Sequence, residues 1–327
     1  MICLGFEGTA HSLGVGIVDD NAKILANVIE QYKTDEGGIH PREAADHHVE
    51  NMQKALKQAL NEAGLKMTDI DLISFSRGPG LGPCLRTVAT AARALSSSYS
   101  VPIIGVNHCI AHIEIGRALT GAKDPITTYV SGANTQIIGY ESGKYRVFGE
   151  TIDTGLGNLL DTFMRELGYG FPGGPIISKM LENGKYSYVE LPYTVKGMDL
   201  AFSGLLTEAL SRRGKVKNED LIYSLTENAF AMVTEVTERA LAHTGKNEVL
   251  LTGGVAASSY LRKMMEKMCQ ERGAKVFVPP VKVCVDNGAM IAWLGIVEHK
   301  SGIKMSLKDT IVKPNQRTDD IEVTWRV

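Results

Sequence analysis

Apolar residues alternate with small or polar ones at Ile2, Leu4 and Phe6 and again at Leu13, Val15 and Ile17. The turn Gly8-Thr9-Ala10-His11 between them predicts a β-hairpin at the start of the chain. A third strand is expected at Ile24 to Val28, after the polar turn Asp19-Asp20-Asn21. From Pro41 to Ala63 the apolar positions Ala44, Met52, Ala55, Leu56, Ala59, Leu60 and Ala63 follow a helical stripe, with proline at the start and Gly64 just past the end. A strand at Leu72 to Phe75 runs into SRGPGLGP and a helix from about Leu85 to Ser96. A strand at Ile103 to Val106 then leads to a helix beginning near His108.

The same order restarts at Ile126. A strand to Val130, a turn Ser131-Gly132-Ala133-Asn134-Thr135, and strands Gln136 to Tyr140 and Tyr145 to Gly149 repeat the opening. The strand Glu248 to Thr252, the loop Gly253-Gly254-Val255-Ala256-Ala257 and the helix Leu261 to Glu271 echo residues 72–96. Such a repeat of element order predicts an internal duplication. It divides the chain into a first lobe at 1–122, a second at 123–302 with a helical insertion at about 153–217, and a tail at 303–327 that packs back on the lobes.

Composition narrows the function classes. The chain has 327 residues, 44% hydrophobic, with 35 basic and 37 acidic side chains, so it is a globular protein of about two domains without a large net basic field. Any nucleic-acid partner is therefore expected to need other subunits. The longest uncharged stretch, Ala94 to Ile113, contains serines, Pro102, Asn107 and two histidines, which a lipid-facing helix does not tolerate. The start MICLGFEGTAHSLG lacks a secretory leader pattern, so a cytoplasmic location and no membrane partner are expected. Cys3, Cys84, Cys109, Cys269 and Cys284 are odd in number and scattered, and read as small buried hydrophobes.

Glycines gather after the predicted strands, at Gly8, Gly78, Gly80, Gly82, Gly132, Gly253 and Gly254, where backbone amides can approach a phosphate or simply close a turn. His108 and His112 are one helical turn apart. The spacing suits one metal ion, or two histidines packed on one face. Asp286, just before a helix at Asn287 to Glu298, is a candidate third ligand or the N-cap of that helix. A zincin would need Glu at position 109, where Cys109 stands. His47 and His48 read as helix-packing or solvated residues, and Arg212, Arg213, Lys215 and Lys217 as a solvated loop, with an RNA contact as the alternative. Serine-hydrolase, P-loop and CxxC redox motifs are absent from the sequence.

Taken together, GFEGTAHSLGVGIVD, GGIHPREAADHH, RGPGLGPCLR, GVNHCIAH, YVSGANTQ, FPGGP, KGMDLAFSGLLT, LTGGVAAS and CVDNGAMIA resemble, in order and over nearly the whole chain, the archaeal and eukaryotic type of the TsaD family. The resemblance implies an α/β chain with the duplicated actin-like ATPase or sugar-kinase-like (RNase H-like) fold, two lobes with a central cleft. It implies transfer of a threonylcarbamoyl group from threonylcarbamoyl-AMP to N6 of the adenosine 3′ of the anticodon, in tRNAs reading codons that begin with A. It implies one metal ion per subunit, iron or zinc, on His108, His112, Tyr129 and Asp286, with no catalytic residue assigned beyond that site. The adenine nucleotide, threonylcarbamoyl-AMP or ATP, is placed on Tyr129, Val130, Ser131, Gly132, Ala133, Asp161, Gly174, Ser178, Gly253, Gly254 and Ser258. The implied partners are tRNA and the KEOPS subunits: a small kinase-like ATPase, a dimerising small subunit and an accessory subunit. Ala133, Ser178 and Ser258 depart from the family pattern, which bears on nucleotide affinity more than on reaction type. An ATP-dependent kinase or ATPase of the same fold, and a nucleotide-binding scaffold subunit, are the alternatives.

Overall fold

The computed structural model describes residues 1–33 and 38–326. Gly37, the first residue of GGIHPREAADHH, and Val327 lie outside the described residues. Elements follow in order: β1 (Ile2–Glu7), β2 (Ser12–Asp19), β3 (Ile24–Gln31), α1 (Pro41–Ala63), β4 (Leu72–Gly78), α2 (Gly82–Tyr99), β5 (Ile103–Asn107) and α3 (His108–Thr120). After them come β6 (Ile126–Val130), β7 (Thr135–Glu141), β8 (Lys144–Glu150), α4 (Leu156–Glu166), α5 (Gly173–Asn183), β9 (Val195–Lys196), β10 (Asp199–Leu200) and α6 (Ser203–Ser211). The chain closes with α7 (Asn218–Thr244), β11 (Glu248–Thr252), α8 (Ser259–Glu271), β12 (Lys275–Phe277), α9 (Val281–Cys284) and α10 (Gly288–Lys300). No described helix is long and apolar enough to cross a membrane.

Two compact units result. Unit 1 comprises Met1–Leu119, Ser142–Tyr145 and Asp286–Val327; unit 2 comprises Thr120–Glu141 and Arg146–Val285. The sheet of unit 1 has the order β3-β2-β1-β4-β5, and that of unit 2 the order β12-β11-β6-β7-β8, the same succession read from the opposite edge. In each, a hairpin pairs antiparallel with the opening strand, and the later strands join it in parallel. The duplication expected from element order is thus present in strand order as well.

In unit 1 the period-two alternation decides what each face meets. Leu4, Phe6, Leu13, Val15 and Ile17 share a core with Ala55 and Ala59 of α1 and with Val88, Ala89 and Ala92 of α2. The opposite face is made of small residues. A Cβ on Gly5, Gly14 or Gly16 would stand 2.4, 2.6 or 2.1 Å from backbone atoms of Ala292, Gly288 or Ala289, so α10 lies with its backbone against the strands. This contact is why 286–302 belongs to unit 1, correcting its assignment to the second lobe. Residues 142–145 and the tail join unit 1 as well. The Val323 N–H donates to the Gly143 carbonyl, Tyr145 and Trp325 both donate to the Glu114 carboxylate, and Arg77 donates to the carbonyls of Ile311 and Asp309.

Unit 2 has its own apolar core, in which Leu221, Leu225, Phe230, Val233 and Val236 of α7 meet Val130, Leu159, Phe163, Leu251 and Leu261. The segment before α7 carries α4 through α6, and α7 stands between β8 and β11 as α1 stands between β3 and β4. The five cysteines are all buried and unpaired with one another, as expected of small hydrophobes.

Candidate functional site

β1, β4 and β5 run parallel and end together at Glu7, Gly78 and Asn107. The region beyond the carboxyl ends of parallel strands is where open α/β sheets place ligands. β5 passes into α3 without a loop, the Asn107 side chain accepting a hydrogen bond from the Ile110 N–H at 3.1 Å. His108 and His112 consequently stand on one helical face, ring centroids 4.9 Å apart. From the other side Asp286 arrives just ahead of α10. The N-cap alternative is taken by Asn287, whose side chain accepts from the Met290 N–H at 3.0 Å, so Asp286 serves another end. Its Oδ1 lies 3.2 Å from His112 Nε2 and 3.4 Å from His108 Nε2.

One donor atom from each of His108, His112 and Asp286 falls within 4.8 Å of the others. The His112 side chain is fully buried, His108 is 5% exposed and Asp286 is 19% exposed, so the carboxylate side faces outward. Burial by itself would raise the Asp286 carboxyl, but the charges and hydrogen bonds of His108 and His112 outweigh it and hold the group well below the usual carboxylate range. Burial lowers His112, with Asp286 opposing. The donor set tests well for a metal. Two imidazole nitrogens and one carboxylate suit a transition ion such as iron or zinc.

One residue that the sequence did not mark out stands directly behind His108. Glu7 is fully buried. Its Oε2 is 3.0 Å from His108 Nδ1, while Oε1 accepts from the Thr9 N–H at 2.8 Å and from Thr9 Oγ1 at 2.6 Å. The available signal was an acid closing an apolar strand just before Gly8. His48 is also fully buried; burial first, and then neighbouring His47, push its pKa down to about 4, so it packs as a neutral ring.

The other expected residues lie in unit 2. Tyr129 and Val130 are buried at the end of β6, Tyr129 in register with Thr252 of β11. Three of the four expected metal ligands thus converge within unit 1, and Tyr129 belongs to unit 2. The turn after Val130 is closed by the Ser131 N–H donating to the Asn134 carbonyl at 2.8 Å. It rests on the start of α4, where the N–H groups of Gly157 and Asn158 donate to the carbonyls of Ser131 and Gly132 at 3.0 and 2.9 Å. Gly253, at φ +94°, allows the next loop to approach this strand: a Cβ there would be 2.3 Å from the Val130 carbonyl oxygen.

Gly132, Ala133 and Gly254 remain exposed, and Gly174 faces open space at the start of α5. Asp161 on α4 accepts from the Gly173 N–H at 2.7 Å and so fixes that helix start. The three departures from the family pattern fit locally. Ala133 avoids positive φ, Ser258 caps α8 by accepting from the Leu261 N–H at 3.5 Å, and Ser178 is half-buried on α5. The basic run is tied to its own helix by Arg212 pairing with Glu208 at 2.8 Å.

Comparison with known proteins shows the family and the fold. Residues 23–293 match the family model described as TsaD, tRNA N6-adenosine threonylcarbamoyltransferase. A protein of that description from Thermococcus sibiricus is 59% identical over 327 residues, covering 99% of this chain and 100% of the relative. Among solved structures, HypF of T. kodakarensis superposes with a TM-score of 0.65 at 16% identity, over 95% of this chain and 49% of that one. The ROK hexokinase of Thermus thermophilus gives 0.53 at 14%, over 92% and 100%. These structural likenesses establish the fold alone, the duplicated actin-like and sugar-kinase-like α/β architecture.

Proposed function

The chain belongs to the TsaD family, and we propose that it transfers a threonylcarbamoyl group from threonylcarbamoyl-AMP to N6 of the adenosine 3′ of the anticodon in tRNA. His108, His112 and Asp286 hold one iron or zinc ion. The end of β6 and its turn at 130–133, the start of α5 at 174–178 and the loop 253–258, with Asp161 of α4, hold the adenylate. The observation that carries this reading is the convergence of the two imidazoles and the carboxylate, with donor atoms within 4.8 Å of one another.

The donor is a mixed anhydride and already activated. The N6 amine attacks its carbamoyl carbon, a C–N bond forms, the C–O bond to phosphate breaks, AMP leaves with that electron pair, and the amine proton goes to solvent. A bound ion supplies Lewis-acid polarisation of a donor oxygen. What the chain itself contributes is orientation and charge placement. The exposed glycine backbone at 132 and 254 and the open start of α5 offer N–H groups to phosphate. The fixed Asp161 carboxylate is assigned to ribose hydroxyls. A formal charge of −2 supports reliance on partner subunits for tRNA, and we assign these to a KEOPS-type assembly, with a small kinase-like ATPase, a dimerising subunit and an accessory subunit, in the cytoplasm.

The test combines metal analysis with transfer of labelled threonylcarbamoyl to tRNA in the reconstituted assembly. His112→Ala and Asp286→Asn are expected to lose the ion and slow transfer by roughly 100-fold or more, with circular dichroism unchanged. Variants that keep both ion and transfer rate would remove the trio from the mechanism. Product formed from ATP and a small acceptor without tRNA would favour a kinase instead.

A further inference from the structure

We propose that Glu7 is the positioning residue of the metal centre: it fixes which nitrogen of His108 is offered to the ion. The inference rests on the metal reading given above and adds a residue to it. Alternation along β1 turns Leu4 and Phe6 toward α1 and α2 and turns Gly5 and Glu7 to the face that α10 covers. The strand therefore delivers a carboxylate to the level where α10 delivers Asp286.

A carboxylate with no exposed surface is tolerated only when its oxygens are hydrogen-bonded. Each Glu7 oxygen has a distinct set of partners. Oε1 faces the Thr9 N–H at 2.8 Å, a group that can only donate, and takes a second hydrogen bond from Thr9 Oγ1 at 2.6 Å. The oxygen there is therefore an acceptor, and the two hydrogen bonds fix the plane of the carboxylate. Oε2 is left opposite His108 Nδ1 at 3.0 Å. As a carboxylate oxygen it accepts, so Nδ1 carries the proton. With an ion in place of the proton that Nε2 turns to Asp286, Nε2 then presents its lone pair on the side shared with His112 Nε2 and Asp286 Oδ1. A metal-binding histidine whose second nitrogen donates to a carboxylate is held in tautomer and ring orientation together. Here the orienting carboxylate is 101 residues away in sequence and anchored by the first glycine turn.

Glu7→Gln separates this role from mere filling of space. The side chains have the same shape, but glutamine has one acceptor end. If that end keeps the Thr9 N–H, its NH2 group faces His108 Nδ1 and forces the proton to Nε2. If it turns to His108, the NH2 group opposes the Thr9 N–H. Either way the offered lone pair is lost or the anchor is broken.

The full chain, stripped of metal, is titrated with Zn2+ against a chromophoric chelator. Glu7→Gln is expected to bind about 10- to 100-fold more weakly than the parent, with an unchanged circular dichroism spectrum. Thr9→Val, which keeps the backbone donor, is expected to lose less. Equal Zn2+ affinity in Glu7→Gln and parent overturns the proposal while leaving the metal centre standing. A parent that binds no Zn2+, or a His108→Ala variant that binds as well, overturns the metal reading and this inference with it. A second measurement needs no variant: two-bond 1H–15N correlation on zinc-loaded protein labelled at histidine should show His108 protonated at Nδ1. A proton on Nε2 instead defeats the assignment even where Glu7→Gln fails to fold.

Discussion

Glu298 shows how a single buried acid ties stability to pH. It lies on α10 with 5% of its surface exposed; burial, with Arg77 opposing and Glu114 adding, pushes its pKa up to about 8. The folded state therefore holds this proton more tightly than the unfolded chain. The contribution to stability is fully present below the ordinary glutamate value of 4.5 and is lost as pH rises toward about 8. At about 1.4 kcal/mol per pKa unit the loss amounts to a few kcal/mol. Urea unfolding of the metal-free chain between pH 5 and 9 should show it, and Glu298→Gln should flatten that slope; an unchanged slope in the variant would refute the assignment. Residues differ in how far the sequence discloses them. His108 and His112 announce themselves by spacing, because a helix turns an interval of four into a shared face. Asp286 stood between ligand and cap from its position alone, since a carboxylate before a helix is as natural a cap, and the structure gives that place to Asn287. Glu7 was hidden because an acid before a glycine reads as turn chemistry, and its partner is remote along the chain.

The hairpin β1-β2 and helix α10 make the clearest case of an element whose form was readable and whose location was not. Helical signals marked residues 287–298, and the structure has Gly288–Lys300. Periodicity, however, reports a face and not what the face meets. Local order along the chain placed this helix with the second copy, whereas the glycines of β1 and β2 place it on the first sheet. The small residues Gly288, Ala289 and Ala292 are the complementary signal, and they acquire meaning only as a pair with Gly5, Gly14 and Gly16. Because a Cβ at Gly288 would stand 2.1 Å from the Gly16 nitrogen, Gly288→Val must push strand and helix apart. We expect a loss of at least about 3 kcal/mol in thermal or urea unfolding, or no soluble protein. Asn287→Ala, which removes the cap at a buried position without adding bulk, should cost about 1 to 2 kcal/mol. If Gly288→Val is as mild as the cap variant, the close approach of α10 to the strands is not as described.

Duplicated strand order, the insertion before α7 and the two separate cores follow from a repeat that the sequence shows through element order alone; the second copy's strand sequence is diverged, but its glycine loops recur after matching strands. Charge is a property of another kind, spread over all residues, and it constrains how the chain meets its substrate. With 35 basic and 37 acidic groups there is no net attraction for a polyanion, and Arg212 of the basic run is already paired with Glu208. Phosphate contacts release counterions only in proportion to the cations that make them, so few contacts mean weak binding and a shallow dependence on salt. Fluorescence anisotropy with labelled tRNA should give the isolated chain a Kd no tighter than about 10 μM near 150 mM salt. Adding the partner subunits should tighten binding at least tenfold and steepen the salt dependence, because the cations would then come from them. Submicromolar binding by the chain alone, with a steep fall between 50 and 200 mM salt, would mean that a local basic surface overrides the balanced total, and dependence on partners for tRNA would have to be abandoned.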